Sequence, residues 1–264
     1  MKILHVWDVA GVSVTLAKFM DRMYATNSSI MMRRVFDPFN FVDEKYLYDS
    51  SARDFLINAV FSARKYDIIH IHSIDKPLFL KALRYLYNKK IILHYHGTDI
   101  RDRWLEKRDR LRYVDAILVS TRDLLDDAPE GVIYLPNPID TDLFKPTNDK
   151  EKGKAFHISY GVDEEAKKIA NEMNLQLTIH DRKNKPIPFK EMPPILTRYE
   201  YYIDIKKAQG NVLHALSKTG LEALACNTKV ITWDKRIIDR LPEEHKAENV
   251  VKRLWHIYTS LLNT

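Results

Sequence analysis

A single cysteine, Cys226, stands in 264 residues, which excludes an intrachain disulfide and fits a reducing compartment. It follows Ala223, Leu224 and Ala225 in a close-packed helical run, so it reads as a small core residue and not as a nucleophile. Glycine is scarce as well: seven glycines and eleven prolines exclude a low-complexity chain, and no internal repeat is present. No apolar run approaches the roughly 20 residues that span a bilayer. The opening MKILHVWDVAG turns polar too soon for a secretory signal and predicts a first β-strand. These absences point to a soluble, cytoplasmic protein. The missing Ser/His/Asp and Cys/His arrangements argue against hydrolase chemistry.

Charge is present but uneven. The chain carries a net +6, while the stretch Lys76–Arg112 alone holds eleven Lys/Arg against four Asp/Glu, so the basicity is local. Within it, RDRWLEKRDRLRY (101–113) predicts a charged helix with Trp104, Leu105 and Leu111 bordered by basic residues. Such a helix suits an anionic membrane surface or a phosphorylated lipid; a solvated helix covering a sheet explains it equally well. Nucleic acid is not expected, because no aromatic platform or helix-turn-helix pattern accompanies the charge.

Strand and helix patterns alternate throughout. KILHVW, SIMMRRVF, DIIHIH, IILHYH, AILVS and VIYLPN are apolar strand runs separated by helical segments, a βαβ order that forces a mainly parallel sheet. That first lobe covers 1–144. The segment 145–154, KPTNDKEKGK, lacks apolar residues and reads as a solvated linker. Alternation then resumes over 155–247 with AFHISY, a helix from Asp163, LQLTIH, YYIDIK, a Ser217–Cys226 helix and KVIT. In 248–264, Val251, Leu254, Trp255, Tyr258, Leu261 and Leu262 share one helical face that must dock on an apolar surface.

Ligand groups in open α/β sheets gather at the carboxyl ends of strands, and four segments place reactive residues there. DIIHIHS ends on His70 and His72. ILHYHGTDIR delivers His94 and His96, after which Gly97 permits a sharp exit and Thr98 or Asp99 can cap the next helix. LPNPIDTDLFKP closes the first lobe. SKTGLEALACNTKVIT sets Ser217, Lys218, Thr219 and Gly220 at a helix N-terminus, where N–H groups and the dipole attract anions, with Glu222 one turn on. Gly11 sits between the first strand and its helix; either it lets a ligand approach the backbone or it makes a tight turn before Ser13. Two H-x-H pairs invite a metal reading, but the nearby carboxylates Asp75 and Asp99 lie beyond the strand ends.

The HGTD, NPIDTDLFKP and GLEALACNTKVI segments resemble the retaining GT-B glycosyltransferases of the family 4 type, over most of the chain. That resemblance implies an α/β fold of two Rossmann-like lobes with a cleft between them, the second lobe shortened, and a terminal helix that docks across the lobes. It implies transfer of a sugar from a nucleoside-diphosphate donor to a glycan or lipid-linked acceptor, with no metal and no cofactor. By position, Glu222 would hold the ribose, Ser217, Lys218, Thr219 and Gly220 the diphosphate, His96 and Asp99 would stand at the donor sugar, and Gly11 beside the cleft. The pattern is broken in two places. His214 occupies the position of a second glutamate eight residues before Glu222, and Tyr160, Gly161 and Val162 stand where an arginine is expected. Those departures keep open a degenerate GT-B protein that binds a nucleotide sugar or partner without turnover, and the shared architecture keeps open an epimerase. The basic stretch adds an expectation of peripheral attachment to the inner membrane face.

Overall fold

The computed structural model describes residues 1–146, 150–159, 161–208 and 210–263; residues 147–149 of the expected linker, Tyr160, Gln209 and Thr264 lie outside them. Two compact units divide the chain, one of residues 1–138 with 247–264 and one of residues 139–246.

In the first unit the order is β1 (Lys2–Val6), α1 (Val12–Tyr24), β2 (Asn27–Arg33), β3 (Leu47–Tyr48), α2 (Ala52–Ala63), β4 (Ile68–His72), α3 (Pro77–Tyr87), β5 (Lys90–Tyr95), α4 (Trp104–Lys107), β6 (Ala116–Val119) and β7 (Ile133–Tyr134). The strands form one parallel sheet in the order β3-β2-β1-β4-β5-β6-β7. The chain builds outward from β1 through β3, then returns to the other side of β1 with β4. That reversal opens the crevice where such folds seat ligands.

The strands read as continuous apolar runs because both faces are covered. Leu4, Val6, Ile69, Ile71, Leu93 and Tyr95 pack on one face. Ile3, Ile68, Ile92 and Leu118 pack on the other, against Leu16, Phe19 and Met20 of α1. The same face receives Val250, Val251, Leu254 and Tyr258 of the last helix, Ala247–Leu262. That helix also stacks Trp255 on Tyr24 with ring centroids 4.3 Å apart.

The second unit runs β8 (Glu151–Ile158), α5 (Asp163–Glu172), β9 (Gln176–His180), α6 (Met192–Arg198), β10 (Tyr199–Asp204), the hairpin β11 (Lys207–Ala208) and β12 (Asn211–Val212), α7 (Lys218–Ala225), β13 (Lys229–Thr232) and β14 (Ile237–Ile238); the last helix of the chain is α8. Its sheet, β14-β13-β10-β8-β9, is parallel except for the edge strand β14. Ala155, Ile203 and Ile231 from the sheet meet Ala166, Ile169 and Ala170 of α5 in its core.

Two local expectations change. Glu151–Lys154, read as linker, are the first residues of β8, where Glu151 pairs with Tyr199 of β10 and Lys154 with Gln176 of β9. The charged helix over 101–113 is broken: Asp102 adopts φ 58°, α4 spans four residues, and Arg108–Tyr113 winds as a 3₁₀ turn. The cause is burial of Trp104, Lys107 and Tyr113, whose 3- and 6-residue spacing favours the tighter winding.

Candidate functional site

In the first unit, β4 and β5 end in histidines because residues two apart on a strand share a face. His70 and His72 thus join His94 and His96 on the face that carries Ile68 and Ile92. A fifth histidine, His5 of β1, is in register with His70, as His72 is with His94. The rings pack tilted and stacked at centroid distances from 4.1 to 5.5 Å. His72 links two neighbours: its Nε2 is 3.1 Å from His5 Nδ1 and its Nδ1 is 3.0 Å from His96 Nε2. His70 Nδ1 lies 2.6 Å from the hydroxyl of Tyr258. Burial pushes the pKa of His5 and of His96 down to about 4 and those of His70, His72 and His94 well below the usual imidazole value, so the cluster is neutral at neutral pH.

His96 is the member at the strand's end, and it is only partly buried. Asp99 does not reach outward. Its carboxylate accepts the backbone N–H groups of His96 (2.9 Å) and Gly97 (2.7 Å) and the hydroxyl of Ser73 (2.5 Å). Asp99 therefore fastens the exits of β4 and β5 together and holds His96 in place.

Gly11, with φ 77°, makes the turn into α1. Its N–H is committed to Asp8, whose buried carboxylate also accepts from the Ser13 backbone (2.8 Å) and hydroxyl (2.5 Å). The sequence reading missed Asp8; its signal is an acidic residue directly after a strand and before a helix start.

In the second unit, Ser217 caps α7 by accepting from the Gly220 N–H at 2.8 Å, and its own N–H donates to Asp204 at the end of β10, 2.7 Å away. One turn later Lys218 Nζ and Glu222 Oε1 form an ion pair at 2.5 Å, with the lysine also over the ring of Phe189 at 4.9 Å. Glu222 is only 5% exposed. Thr219 is buried on the same turn. The structure thus brings Ser217, Lys218, Thr219, Gly220 and Glu222 together on one helix start, with both charges engaged by each other. His214, which stands in place of the second glutamate, is exposed and lies edge-on to Trp233 with centroids 4.8 Å apart. Trp233 follows β13 directly, and sequence reasoning missed it as well; an aromatic residue after an apolar strand was the available signal. Lys167 of α5 pairs with Glu164 on the surface.

Gly220 is held by this network. A Cβ there would overlap the carboxylate of Asp204, which is fixed by the Ser217 N–H. Gly220→Ala is expected to destabilise the protein by about 1–3 kcal/mol, as overpacking does; an unchanged chemical-unfolding midpoint would show that the Asp204 clamp yields freely.

The model of Glycosyltransferase Family 4 matches residues 7–143, a little over half of the chain. Several solved structures share the fold. HepE from Anabaena, in complex with UDP-glucose, is 10% identical, with a TM-score of 0.55 over 99% of this chain and 92% of that one. An α-glucosyltransferase in complex with UDP and a 13-mer DNA is 13% identical, with a TM-score of 0.58 over 98% and 90%. UDP-GlcNAc 2-epimerase from Neisseria meningitidis, bound to UDP-GlcNAc, is 12% identical, with a TM-score of 0.52 over 100% and 94%. No curated protein matches by sequence. At such identities the likeness is one of fold, and the fold is the GT-B architecture.

Proposed function

Because the chain belongs to Glycosyltransferase Family 4, we propose that it moves a sugar from a nucleoside-diphosphate donor to a glycan or lipid-linked acceptor, with retention and without a metal or cofactor in the transfer step. The observation that carries this reading is the start of α7, where a capped helix N-terminus, a cation and a buried carboxylate stand within one turn at the carboxyl end of β10. A nucleoside diphosphate offers the matching groups: anionic oxygens for the N-terminus and Lys218, and ribose hydroxyls for Glu222. Binding exchanges the Lys218–Glu222 pairing for pairing with the ligand. The exposed His214 and Trp233 offer aromatic faces to a base.

In the first unit, His96 presents a neutral imidazole that donates to or accepts from a sugar hydroxyl, while Asp99 keeps it oriented. Retention in a single displacement requires that the acceptor oxygen attack the anomeric carbon on the face that the diphosphate leaves. The carbon–oxygen bond to phosphate breaks, the new glycosidic bond forms, and the acceptor's proton passes to the departing phosphate oxygen. Positioning and electrostatics then supply most of the rate.

A panel of UDP- and GDP-sugars tested by thermal shift, followed by product analysis with the best donor in the presence of EDTA, tests this reading. Stabilisation by one donor class and transfer that survives chelation are expected. No stabilisation by any donor would sink it, and conversion of the donor to its epimer without an acceptor would replace it with the epimerase reading that the Neisseria fold likeness keeps open.

Peripheral attachment to a membrane belongs to the same proposal. Among the described residues no helix is long and apolar enough to cross a membrane. The exposed side of α3 nevertheless presents Leu78 (80% exposed), Tyr85 and Leu86, and α4 adds Leu105 (78%), with Lys76, Lys81 and Arg108 exposed on the same elements. Trp104, expected at the centre of that surface, is instead buried with its indole N–H on the Leu124 carbonyl. Lys107 is paired internally with Asp75 at 2.5 Å, and Arg101 with Asp123. Lys76, Lys81 and Arg108 are exposed basic residues able to meet lipid, beside Arg103 and Arg112, which pair with Glu106 and Asp109 at the surface; each adds about 1 kcal/mol near an anionic surface. Co-sedimentation with anionic but not neutral vesicles, lost at high salt and on reversing the charges of Lys76, Lys81 and Arg108, is expected. Protein left in the supernatant at low salt would make the surface a solvated face.

A further inference from the structure

We propose that His72, His94 and His96 form a site for one borderline transition-metal ion of the zinc(II) class. The H-x-H spacing on β5 puts two imidazoles on one face, and the neighbouring strand supplies the third through the His72–His94 register. One ring nitrogen from each lies within 4.8 Å of the others. A tetrahedral ion with Zn–N distances of about 2.0–2.1 Å needs nitrogens roughly 3.3 Å apart, and His72 Nδ1 and His96 Nε2 are already 3.0 Å apart.

The second observation is what these rings lack. His94 is fully buried, and among the described residues neither of its nitrogens has a hydrogen-bond partner; Nδ1 of His96 has none either. A neutral imidazole carries one donor and one acceptor, so His94 leaves both unanswered in the interior, a rare and costly condition for a polar group. An ion takes up the acceptor lone pair directly.

The donor set also chooses the ion. Three imidazoles without a carboxylate among them suit zinc, copper or nickel and disfavour magnesium or calcium. His72 has its support in place: with Nδ1 on the ion, its Nε2–H donates to His5 Nδ1 at 3.1 Å, the outer hydrogen bond that fixes a ligand's tautomer. The other triad of the cluster, His5, His70 and His72, is less suited, since all three rings are buried and none gives an ion a route from solvent. The partly exposed His96 gives the chosen triad a route from solvent.

An ion held there occupies the imidazole that the proposed transfer assigns to the sugar, so it would compete with transfer and not assist it. That consequence rests on the functional reading above; the ion site itself does not.

The test uses tag-free protein stripped with a chelator and titrated with Co²⁺, then with Zn²⁺. Expected are one equivalent of Co²⁺ bound with the visible absorption of a four-coordinate site, its displacement by Zn²⁺, and one zinc retained through desalting by elemental analysis. His94→Ala and His96→Ala should each lose the ion, His5→Ala should weaken it about tenfold, and His180→Ala, on the second unit, should retain it. Absence of Co²⁺ absorption and of retained zinc in the unaltered protein would overturn the proposal. Full retention by both folded variants would overturn it equally.

Discussion

Glu222→Ala is expected to cost about 3–5 kcal/mol of stability, because it strands the Lys218 ammonium in a buried setting without its partner. The side chains of the pair are 11% and 6% exposed, so solvent does little to screen the loss. This variant alone therefore says nothing about binding. Glu222→Gln separates the two roles: its amide oxygen still accepts from Lys218, so the unfolding free energy should fall far less. The ribose contact, a hydrogen bond to a charged acceptor worth roughly 1.5–3 kcal/mol, then keeps an acceptor but loses the charge, and with it about 1–1.5 kcal/mol. Calorimetry with the best donor should show affinity down by roughly tenfold. A Gln variant that binds the donor as tightly as the unaltered protein would leave Glu222 with a purely structural role.

The alternation of apolar strands and helices makes both sheets legible in the sequence alone. Parallel strands covered on both faces must be apolar throughout, so Ile68–His72 and Lys90–Tyr95 could be little else. Residues two apart on those strands share a face by backbone geometry alone, and so the pairing of His94 with His96 was also readable. What the sequence hides is register. His5 stands 65 residues from His70 and meets it only because β1 and β4 lie side by side, so the histidine cluster as a whole could not be counted in advance.

The charged stretch around Trp104 misled for a related reason. Helical periodicity assumes that basic residues face water, but Lys107 has a partner 32 residues upstream in Asp75, and satisfying that buried pair turns the segment inward. Asp99 was likewise legible as a strand-end carboxylate; its three local donors, which convert it from a reagent into a fastening, were not. Asp8 and Asp204 do the same work at the starts of α1 and α7. In both units, then, the carboxylates of Asp8, Asp99 and Asp204 hold backbone, and the groups that the proposed transfer leaves to meet a ligand are an imidazole, a lysine and Glu222.

His96 should separate catalysis from binding most sharply. Assayed in the presence of EDTA, so that no ion occupies the imidazoles, His96→Ala is expected to lower kcat by about a hundredfold or more. That is the scale for a positioned proton-sharing group acting in the transition state. Donor affinity should change by less than threefold or so, since an interaction realised mainly in the transition state does not appear in ground-state binding. The fold should survive, because His96 is partly exposed and Asp99 grips the backbone at position 96 and not the ring. Asp99→Ala supplies the contrast: it frees the N–H groups of His96 and Gly97 and the Ser73 hydroxyl together, so stability and kcat should fall in the same variant. If His96→Ala instead raises KM with kcat intact, the imidazole only helps to hold the donor, and the proton economy of transfer belongs to the donor and acceptor alone.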